Sequence, residues 1–247
     1  MKMKNLKNNL LLALIIAISS IGIYLIQILI FSRAQDTFFY ILQDLAFIPI
    51  QVIIVTLVFN KLLNSRENQQ KIKKINVIIT TFFIEAGSEM IEQMSAFDAN
   101  FNSFRQTITM KDLSGSITLL KKRVREYDWA VDAGSADLSK LKRFLIDKKL
   151  FLLTMLENNN LMEHDSFTDM LWAIFHITDE LQCRENLEDL PETDVDHLSI
   201  DILRAYKLLI LEWLDYIGYL NNDYPYLFSL AVRKNPFIGS KDVRILK

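Results

Sequence analysis

Cysteine, proline and glycine are scarce in this chain of 247 residues, which holds one, four and six of them respectively. Cys183 is the only cysteine, and this excludes an internal disulfide and a zinc site built from cysteines. Because proline and glycine interrupt helices, their scarcity leaves long segments that can remain helical. Leucine, isoleucine, lysine and glutamate abound, and this composition favours an all-α fold.

Sequence signatures of catalysis are also missing. Gly115 and Gly134 stand alone, so neither belongs to a glycine-rich loop that holds a phosphate group. No G-x-S-x-G segment is present to position a serine nucleophile. Cys183 follows His176 by two helical turns, but most free cysteines are simply buried. We therefore expect a protein that is not an enzyme and has no catalytic residues.

The three histidines, His164, His176 and His197, raise the question of a metal site. His176 and Glu180 lie one helical turn apart, and Asp194 and His197 are three residues apart, as carboxylate and histidine ligands in a helical bundle can be. The paired Glu-x-x-His motifs of di-iron bundles are missing, however. A single histidine in an amphipathic helix is more often a packed or boundary residue. We expect no metal and no cofactor.

Two long apolar runs dominate the first quarter of the sequence. Residues 10–31 contain no charge, and residues 38–59 contain only that of Asp44. Each run has 22 residues, about 33 Å of helix, which is enough to cross a hydrocarbon layer of about 30 Å. The first run is longer than the apolar part of a secretory signal, about 7–15 residues, and lacks a small-residue cleavage site. We predict transmembrane helices at 10–31 and 38–59, joined by an extracytoplasmic loop at 32–37.

Basic residues predict the orientation of this hairpin. Three lysines lie within residues 1–9, and five lysines and arginines follow the second run within residues 60–76. The loop holds one arginine and one aspartate. The positive-inside rule therefore places both termini in the cytoplasm and the loop outside. We predict a cell (inner) membrane protein that crosses the membrane twice, with 1–9 as a cytosolic N-terminal segment.

Polar residues inside the two runs indicate contacts within the hairpin. Small and polar residues recur on one face of the first helix at spacings of three and four: Ala13, Ala17, Ser20, Tyr24 and Gln27. This pattern is typical of close helix–helix contacts in lipid. On the second helix, Gln43 and Asp44 lie at the depth of Gln27 and could bond to it. Pro49 leaves the Leu45 carbonyl without its usual donor and predicts a helix kink, at which Ser20 could supply a hydrogen bond.

The second helix also allows a different interpretation. Asp44 and Gln51 are seven residues apart and therefore face the same way, and Val55 and Val58 continue that face. In a symmetric oligomer this face could line a pore, with a ring of Asp44 at the outer mouth that attracts cations. The other interpretation is a hydrogen-bonded network inside the hairpin, in which Asp44 pairs with Gln27 or with loop amides. A potassium pore-loop signature is absent.

The chain after the second run is acidic. Residues 1–76 carry nine Lys/Arg and three Asp/Glu, whereas residues 77–247 carry 19 and 27. This balance argues against nucleic-acid binding by the second part. We predict a stalk helix at 60–76, a cytosolic helical-bundle domain at 77–237, and a basic tail at 238–247 that either lies near the anionic inner leaflet or is solvated.

Apolar residues recur every three or four positions from Ile72 to Met94. They predict an amphipathic helix that either self-associates as a short coiled coil or packs into the domain only from Ile75 onward. Further helices are predicted at 111–127, 138–157, 165–183 and 194–220, with a short last one from Pro225 to a stop at Asn235-Pro236. The helix at 138–157, with Ser135 or Asp137 as its cap, has the densest apolar run and is predicted to be the central one.

Two segments resemble a known family. They are DLAFIPIQV at Asp44–Val52 and YPYLFSLAVR at Tyr224–Arg233. Both resemble a family of uncharacterised two-pass membrane proteins of bacteria and archaea, and the similarity runs from the hairpin to about Phe237. The resemblance implies the same layout and brings no activity, cofactor or catalytic residue with it.

These features favour a non-enzymatic integral membrane protein. We expect a membrane-anchored, oligomeric module whose cytosolic helical domain senses a state or binds a cytosolic protein or a small-molecule effector. The alternative is a homo-oligomeric ion channel or membrane-depolarising pore, lined by the second transmembrane helix and gated by the cytosolic domain. The expected partners are the lipid bilayer and further copies of the chain, and nucleic acid is not among them.

Overall fold

This computed structural model of the protein describes residues 2–31, 34–108 and 110–237. Within these ranges the secondary structure consists of helices and helical turns. They are α1 (Lys2–Phe31), α2 (Ala34–Phe82), a π-helical turn (Phe83–Gly87), α3 (Ser88–Ser95), α4 (Phe101–Thr107), α5 (Met110–Leu113), α6 (Ile117–Glu126), a 3-10 turn (Ala133–Ser135), α7 (Leu138–Leu156), α8 (Asp165–Cys183), α9 (Glu192–Asp223) and α10 (Pro225–Arg233). The described residues form no strand, and an isolated bridge joins Asp98 to Val131. The predicted all-α fold is confirmed.

The chain divides into two compact units, residues 1–67 and 68–247. The division lies within α2 and separates the two apolar runs from the rest of the chain. The predicted stalk, 60–76, is helical throughout. The predicted basic tail, 238–247, and the first two residues of the predicted loop, 32–33, lie outside the described residues.

The connection between α1 and α2 is shorter than predicted. Because α2 begins at Ala34, the prediction of a loop over 32–37 is wrong for its last four residues. Asp36 lies in the first turn of α2, where a carboxylate interacts favourably with the positive end of the helix dipole. Polar residues of this kind begin helices as readily as they form turns, and this explains the error.

A long apolar surface on α2 is not covered by the described chain. Every residue over 38–59 is exposed, and α2 continues through Pro49. Among the described residues, α2 alone is long and apolar enough to cross a membrane, by length and composition. No residue of its most apolar stretch is buried. Leu14–Ile30 in α1 is a shorter apolar helix. The side chains of residues 10–13, which belong to the predicted first span, lie outside the described residues.

Where the structure describes its side chains, from residue 14 onward, the small-residue face of α1 does not form the close helix–helix contact that its spacing predicts. Ala17 and Ser20 are exposed, and a Cβ atom at Gly22 would meet nothing within 4 Å. Tyr24 and Gln27, nearer the connection to α2, are half-buried. The contact between the two helices is therefore confined, in the described part of α1, to the end near the connection. Small residues permit close packing in lipid but do not enforce it, since both helices are equally apolar.

The second unit is built around α9. This helix packs against α3, α6, α8 and α10, and its buried residues extend from Leu198 to Leu220. The prediction that 138–157 forms the central helix is therefore wrong. α7 buries one narrow stripe, whereas Leu150 and Leu153 are exposed. The stripe consists of Leu138, Leu141, Leu145 and Leu152. A dense apolar run marks a central helix only when its residues surround the helix, as they do in α9.

The part of α2 that belongs to the second unit packs from Ile75 onward. Ile72 is exposed, whereas the apolar residues that follow at helical spacing are buried. They are Ile75, Ile79, Phe82, Ala86, Met90 and Met94. The predicted packing from Ile75 is confirmed, and self-association of the preceding turns stays a prediction.

The π-helical turn places two neighbouring aromatic residues in the core. A π-helical turn inserts an extra residue into the helix, and here both Phe82 and Phe83 are buried. Phe83 stacks on Tyr216 of α9, with ring centroids 5.1 Å apart. A Cβ atom at Gly87 would lie 2.6 Å from both phenylalanine rings, so the turn requires glycine at its end.

Local polar residues decide several helix boundaries. The single helix predicted over 111–127 is wrong, because Ser114–Ser116 separates α5 from α6 and the Ser116 side chain caps α6 at the Leu119 amide. Of the two predicted caps of α7, Asp137 is confirmed, since it accepts a 2.8 Å hydrogen bond from the Lys140 amide. The predicted start of the last helix at Pro225 is confirmed as well.

Candidate functional site

Charged and histidine side chains converge between α8 and α9, near the loop that joins these helices. We name them the α8–α9 cluster. Its members are His176 and Glu180 of α8, Arg184 at the C-cap of α8, and Asp194, His197, Asp201 and Arg204 of α9. Spacings of three and four residues place each set on one face of its helix. The contacts between the two sets show that these faces meet.

Arg184 clamps the end of α8 to the beginning of α9. Its Nε and Nη2 donate to the two carboxylate oxygens of Asp194 at 2.8 and 2.6 Å. Its Nη1 donates to Glu180 Oε2 at 2.7 Å and to the Glu180 carbonyl at 2.6 Å. The Arg184 side chain is 17% exposed. Such bidentate, charge-assisted pairs are among the stronger hydrogen bonds in proteins, and this one lies where a cation also suits the helix dipole.

The clamp changes the titration of the groups that it joins. Hydrogen bonds from Arg184 lower the pKa of Glu180 below its ordinary value of 4.5 and the pKa of Asp194 below 3.8. Hydrogen bonding to Asp194 raises the pKa of Arg184. Both carboxylates are therefore ionised at neutral pH, and neither is suited to donate a proton to a substrate there.

His176, His197 and Asp201 form the other half of the cluster. Asp201 Oδ2 lies 3.1 Å from Nε2 of His176 and 3.3 Å from Nε2 of His197. The Asp201 side chain is 3% exposed, whereas the two histidine side chains are 45% and 49% exposed. Arg204 Nη1 lies 3.3 Å from the other Asp201 oxygen, Oδ1. His197 Nε2 also lies 3.7 Å from Glu180 Oε2.

The sequence pairs His176 with Glu180 and Asp194 with His197, and the structure brings these four residues together. It adds Asp201, which the sequence reasoning missed. A signal for Asp201 is present, since it follows His197 by four residues, as Glu180 follows His176. The third histidine, His164, lies apart: its Nδ1 accepts a 3.3 Å hydrogen bond from the Phe167 amide and caps α8. Cys183 ends α8 and is exposed.

Among the residues that the structure describes, two buried carboxylates, Asp98 and Glu212, lie outside the cluster. Asp98 Oδ1 accepts hydrogen bonds from the amides of Asn100 and Ala130 at 3.0 and 3.3 Å, and the second bond joins the turn before α4 to the segment between α6 and α7. Desolvation raises the pKa of Asp98 and the pKa of Glu212 in α9. For Glu212, a hydrogen bond with the Ser166 side chain partly offsets this rise. The contacts of both residues are with the protein's own interior, so we interpret them as structural.

In the first unit, Asp44 forms a hydrogen bond between the two helices. The Tyr24 hydroxyl donates to Asp44 Oδ2 at 2.9 Å. The sequence offers Gln27 or loop amides as partners of Asp44, whereas the donor is Tyr24, one turn before Gln27 on the same face. Gln27 is half-buried, and Gln43 and Gln51 are exposed. The polar residues of α2 thus include Asp44, which pairs within the hairpin, and two exposed glutamines.

Comparison with known proteins matches each of the two units to a family model. A family model described as "MJ1433, N-terminal helical domain" matches residues 3–63. A second, described as "Uncharacterized protein MJ1433, C-terminal helical domain", matches residues 71–233. The chain belongs to the MJ1433 family. The two matched ranges of this family lie on either side of the division between the two compact units.

A relative in the MJ1433 family supports the assignment over nearly the whole chain. "Uncharacterized protein MJ1433" of Methanocaldococcus jannaschii is 40% identical over 230 residues, which cover 92% of each chain. No solved structure matches this chain. The prediction that the chain resembles a family of uncharacterised proteins is therefore confirmed. Neither description of the MJ1433 family names an activity.

Proposed function

We propose that this chain is a non-enzymatic membrane protein, anchored by the hairpin of its first unit and carrying a cytosolic sensor or partner-binding module in its second. The observation that carries the proposal is the uncovered apolar surface over residues 38–59. Monomeric soluble proteins rarely expose contiguous apolar patches of more than a few hundred Å². A 22-residue helix exposed on all sides greatly exceeds this limit, whereas a bilayer would cover it.

The hydrogen bond between Tyr24 and Asp44 supports insertion of both helices. A carboxylate within the hydrocarbon layer is costly unless it lies near an interface and has a partner. Asp44 lies near the outer end of the predicted span and accepts a hydrogen bond from the Tyr24 hydroxyl on α1. The basic residues at 1–9 and 60–76 support cytoplasmic placement of both ends of the hairpin.

A binding role for the second unit is supported by its own core and by the α8–α9 cluster. The unit buries a continuous apolar core, so it has the means to fold around α9. In the cluster, Arg184 engages Glu180 and Asp194, and both have lowered pKa values. Because both carboxylates stay ionised and paired with Arg184, they are poorly suited to acid–base catalysis. Turnover of a metabolite by the purified full-length chain would contradict the non-enzymatic part of the proposal.

Cysteine labelling tests the anchoring and the orientation together. Cys183 is the single cysteine and is exposed, so a membrane-impermeant maleimide reports on which side of the membrane it lies. In intact spheroplasts we expect no labelling of Cys183, and full labelling after lysis. In a Cys183→Ser background, Gln35→Cys at the exposed start of α2 is expected to label in intact spheroplasts.

The control for this experiment is Cys183→Ser alone, which should not label in either condition. Labelling of Cys183 in intact spheroplasts, or protection of Gln35→Cys until lysis, would reverse the proposed orientation. Release of the chain from membranes by alkaline carbonate without detergent would contradict anchoring altogether.

A second candidate function is an oligomeric ion channel. It is favoured by the exposure of Asp44 and Gln51, which lie seven residues apart on α2 and therefore on the same side of it. Exposed polar groups on a lipid-facing helix are costly, whereas they are solvated when several copies surround a water-filled pore. With two spans in each chain, a monomer or a dimer does not readily enclose such a pore.

The channel is tested by particle mass and by ion flux. It requires a discrete oligomer of about four or more copies in nanodiscs. It also requires cation flux in liposomes that Asp44→Asn reduces and Gln51→Ala alters. Asp44→Asn is informative because the amide oxygen can still accept the hydrogen bond from Tyr24, so the variant removes the charge and keeps that contact. A monomer, or flux that is identical in all variants, would contradict the channel and leave the anchored module.

A further inference from the structure

Three side chains of the α8–α9 cluster are spaced as the ligands of one metal ion. Ligand atoms that bind a divalent ion at about 2.0–2.2 Å lie about 2.8–3.1 Å apart when they are neighbours in octahedral geometry and about 3.3–3.6 Å apart in tetrahedral geometry. Asp201 Oδ2 lies 3.1 Å from His176 Nε2 and 3.3 Å from His197 Nε2. The potential ligand atoms of all three residues fall within 4.8 Å of one another.

The second observation concerns the buried oxygen itself. Asp201 Oδ2 is buried and accepts no hydrogen bond, although two imidazole nitrogens lie within 3.3 Å of it. A carboxylate oxygen that is removed from water normally has a donor. Ligands of one ion, by contrast, point at the ion and not at each other. An unpartnered oxygen between two histidine nitrogens is therefore explained by a cation that all three would share.

We propose that His176 Nε2, His197 Nε2 and Asp201 Oδ2 bind one divalent transition-metal ion of the zinc class. Two imidazoles and one carboxylate are typical ligands of Zn²⁺, Fe²⁺, Co²⁺ and Ni²⁺, whereas Mg²⁺ and Ca²⁺ prefer sites made of oxygen. Both histidines are half-exposed, so further coordination positions face solvent and are open to water or to an external ligand. This proposal differs from the expectation from sequence that the chain binds no metal.

Neighbouring charges hold the three ligands in place. Arg204 lies 3.3 Å from Asp201 Oδ1, and this contact orients the carboxylate with Oδ2 toward the histidines. Glu180 Oε2 lies 3.7 Å from His197 Nε2 but is already held by Arg184, so it supports the site without binding the ion. Outer groups of this kind commonly tune a metal site by about 10–100-fold in affinity.

The proposal deepens the function proposed above, because it names the ligand class of the second unit and rests on that function for its biological role. The two can fail separately. Cysteine labelling tests where the chain lies, whereas metal binding depends on α8 and α9 alone. A chain that binds metal but is not anchored would overturn the anchoring only, and an anchored chain that binds no metal would overturn the site only.

The test uses the full-length chain, purified in detergent without a polyhistidine tag and stripped with a chelator. Calorimetric titration with Zn²⁺ is expected to show one equivalent bound per chain, and Co²⁺ is expected to bind with visible absorption bands. Mg²⁺ and Ca²⁺ at millimolar concentration should give no signal. Asp201→Asn and His197→Gln are each expected to weaken Zn²⁺ binding by about 100-fold or more.

The third histidine supplies the matched control. His164→Asn keeps a capping side chain on α8 and should leave Zn²⁺ affinity unchanged. If Asp201→Asn fails to fold, His197→Gln still tests the site. The His197 side chain is half-exposed, so its replacement disturbs the core less than replacement of the buried Asp201. Absence of Zn²⁺ binding would overturn the proposal, as would Zn²⁺ binding that His197→Gln leaves intact or that His164→Asn weakens equally. The first result would assign the three residues to a structural contact between α8 and α9.

Discussion

Replacing Arg184 by methionine is expected to lower the free energy of unfolding by about 2–3 kcal/mol at neutral pH. Methionine preserves much of the apolar stem but removes all the hydrogen bonds that the guanidinium makes to Glu180 and Asp194. Two carboxylates then remain close together without a cation between them. The measurement is chemical unfolding of the full-length chain in detergent, followed by circular dichroism, with a chelator present so that bound metal does not contribute.

The effect of Arg184→Met should depend on pH. Arg184 lowers the pKa of Glu180 and of Asp194, so the clamp contributes its full stability above their ordinary values of 4.5 and 3.8. That contribution is lost as the pH falls below these values and through the lowered pKa values, where the folded protein must protonate both groups. The difference in stability between the wild type and Arg184→Met should therefore shrink steadily as the pH falls below about 4.

Arg204 provides the matched control for Arg184. Arg204 also lies on the cluster and near a carboxylate, but its side chain is 56% exposed and its nearest contact, with Asp201 Oδ1, is 3.3 Å. Because the Arg204 guanidinium is largely in solvent, Arg204→Met should cost about 1 kcal/mol, less than Arg184→Met. Equal losses for the two variants, or a loss for Arg184→Met that does not change with pH, would show that the clamp does not hold α8 to α9.

Local signals in the sequence predict helix boundaries well. The limits of α8, the cap of α7 at Asp137 and the start of α10 at Pro225 all follow from residues that act within one turn. The same signals fail where turn-forming residues interrupt a helical pattern. The Ser114–Ser116 segment breaks a predicted helix, because glycine and serine favour turn and cap conformations over a continued helix.

Packing between distant helices is less accessible from the sequence. The dense apolar run of α7 suggests a central helix, yet Leu150 is exposed, because only contact with other helices decides which side of a run is buried. The candidate site has the same difficulty. Spacing alone places His176 beside Glu180, but the approach of α8 to α9 selects Asp201 as the carboxylate between His176 and His197.

Paired aspartates in the middle of α2 should remove this helix from the membrane. Residues 38–59 contain fifteen Leu, Ile, Phe and Val residues, which together favour insertion by about 5–9 kcal/mol. Ile53→Asp combined with Ile54→Asp adds about 5–7 kcal/mol of cost and removes two favourable residues. Insertion then becomes balanced or unfavourable. A cysteine reporter at Thr56, in a Cys183→Ser background, should be shielded from a water-soluble maleimide in opened membranes and should become largely labelled in the double variant.

The matched control introduces the same two charges on an exposed apolar surface outside the span. Leu150→Asp with Leu153→Asp alters two exposed leucines of α7, and Thr56→Cys should stay shielded in that variant. If Thr56→Cys labels fully without any aspartate, then α2 does not lie in hydrocarbon, and its apolar surface must be covered by other protein chains. If both aspartate pairs expose Thr56→Cys, the effect reflects general unfolding. Only a difference between the pairs assigns the exposed surface of α2 to the bilayer, because the two variants share the same chemistry and differ in the solvent that each surface meets.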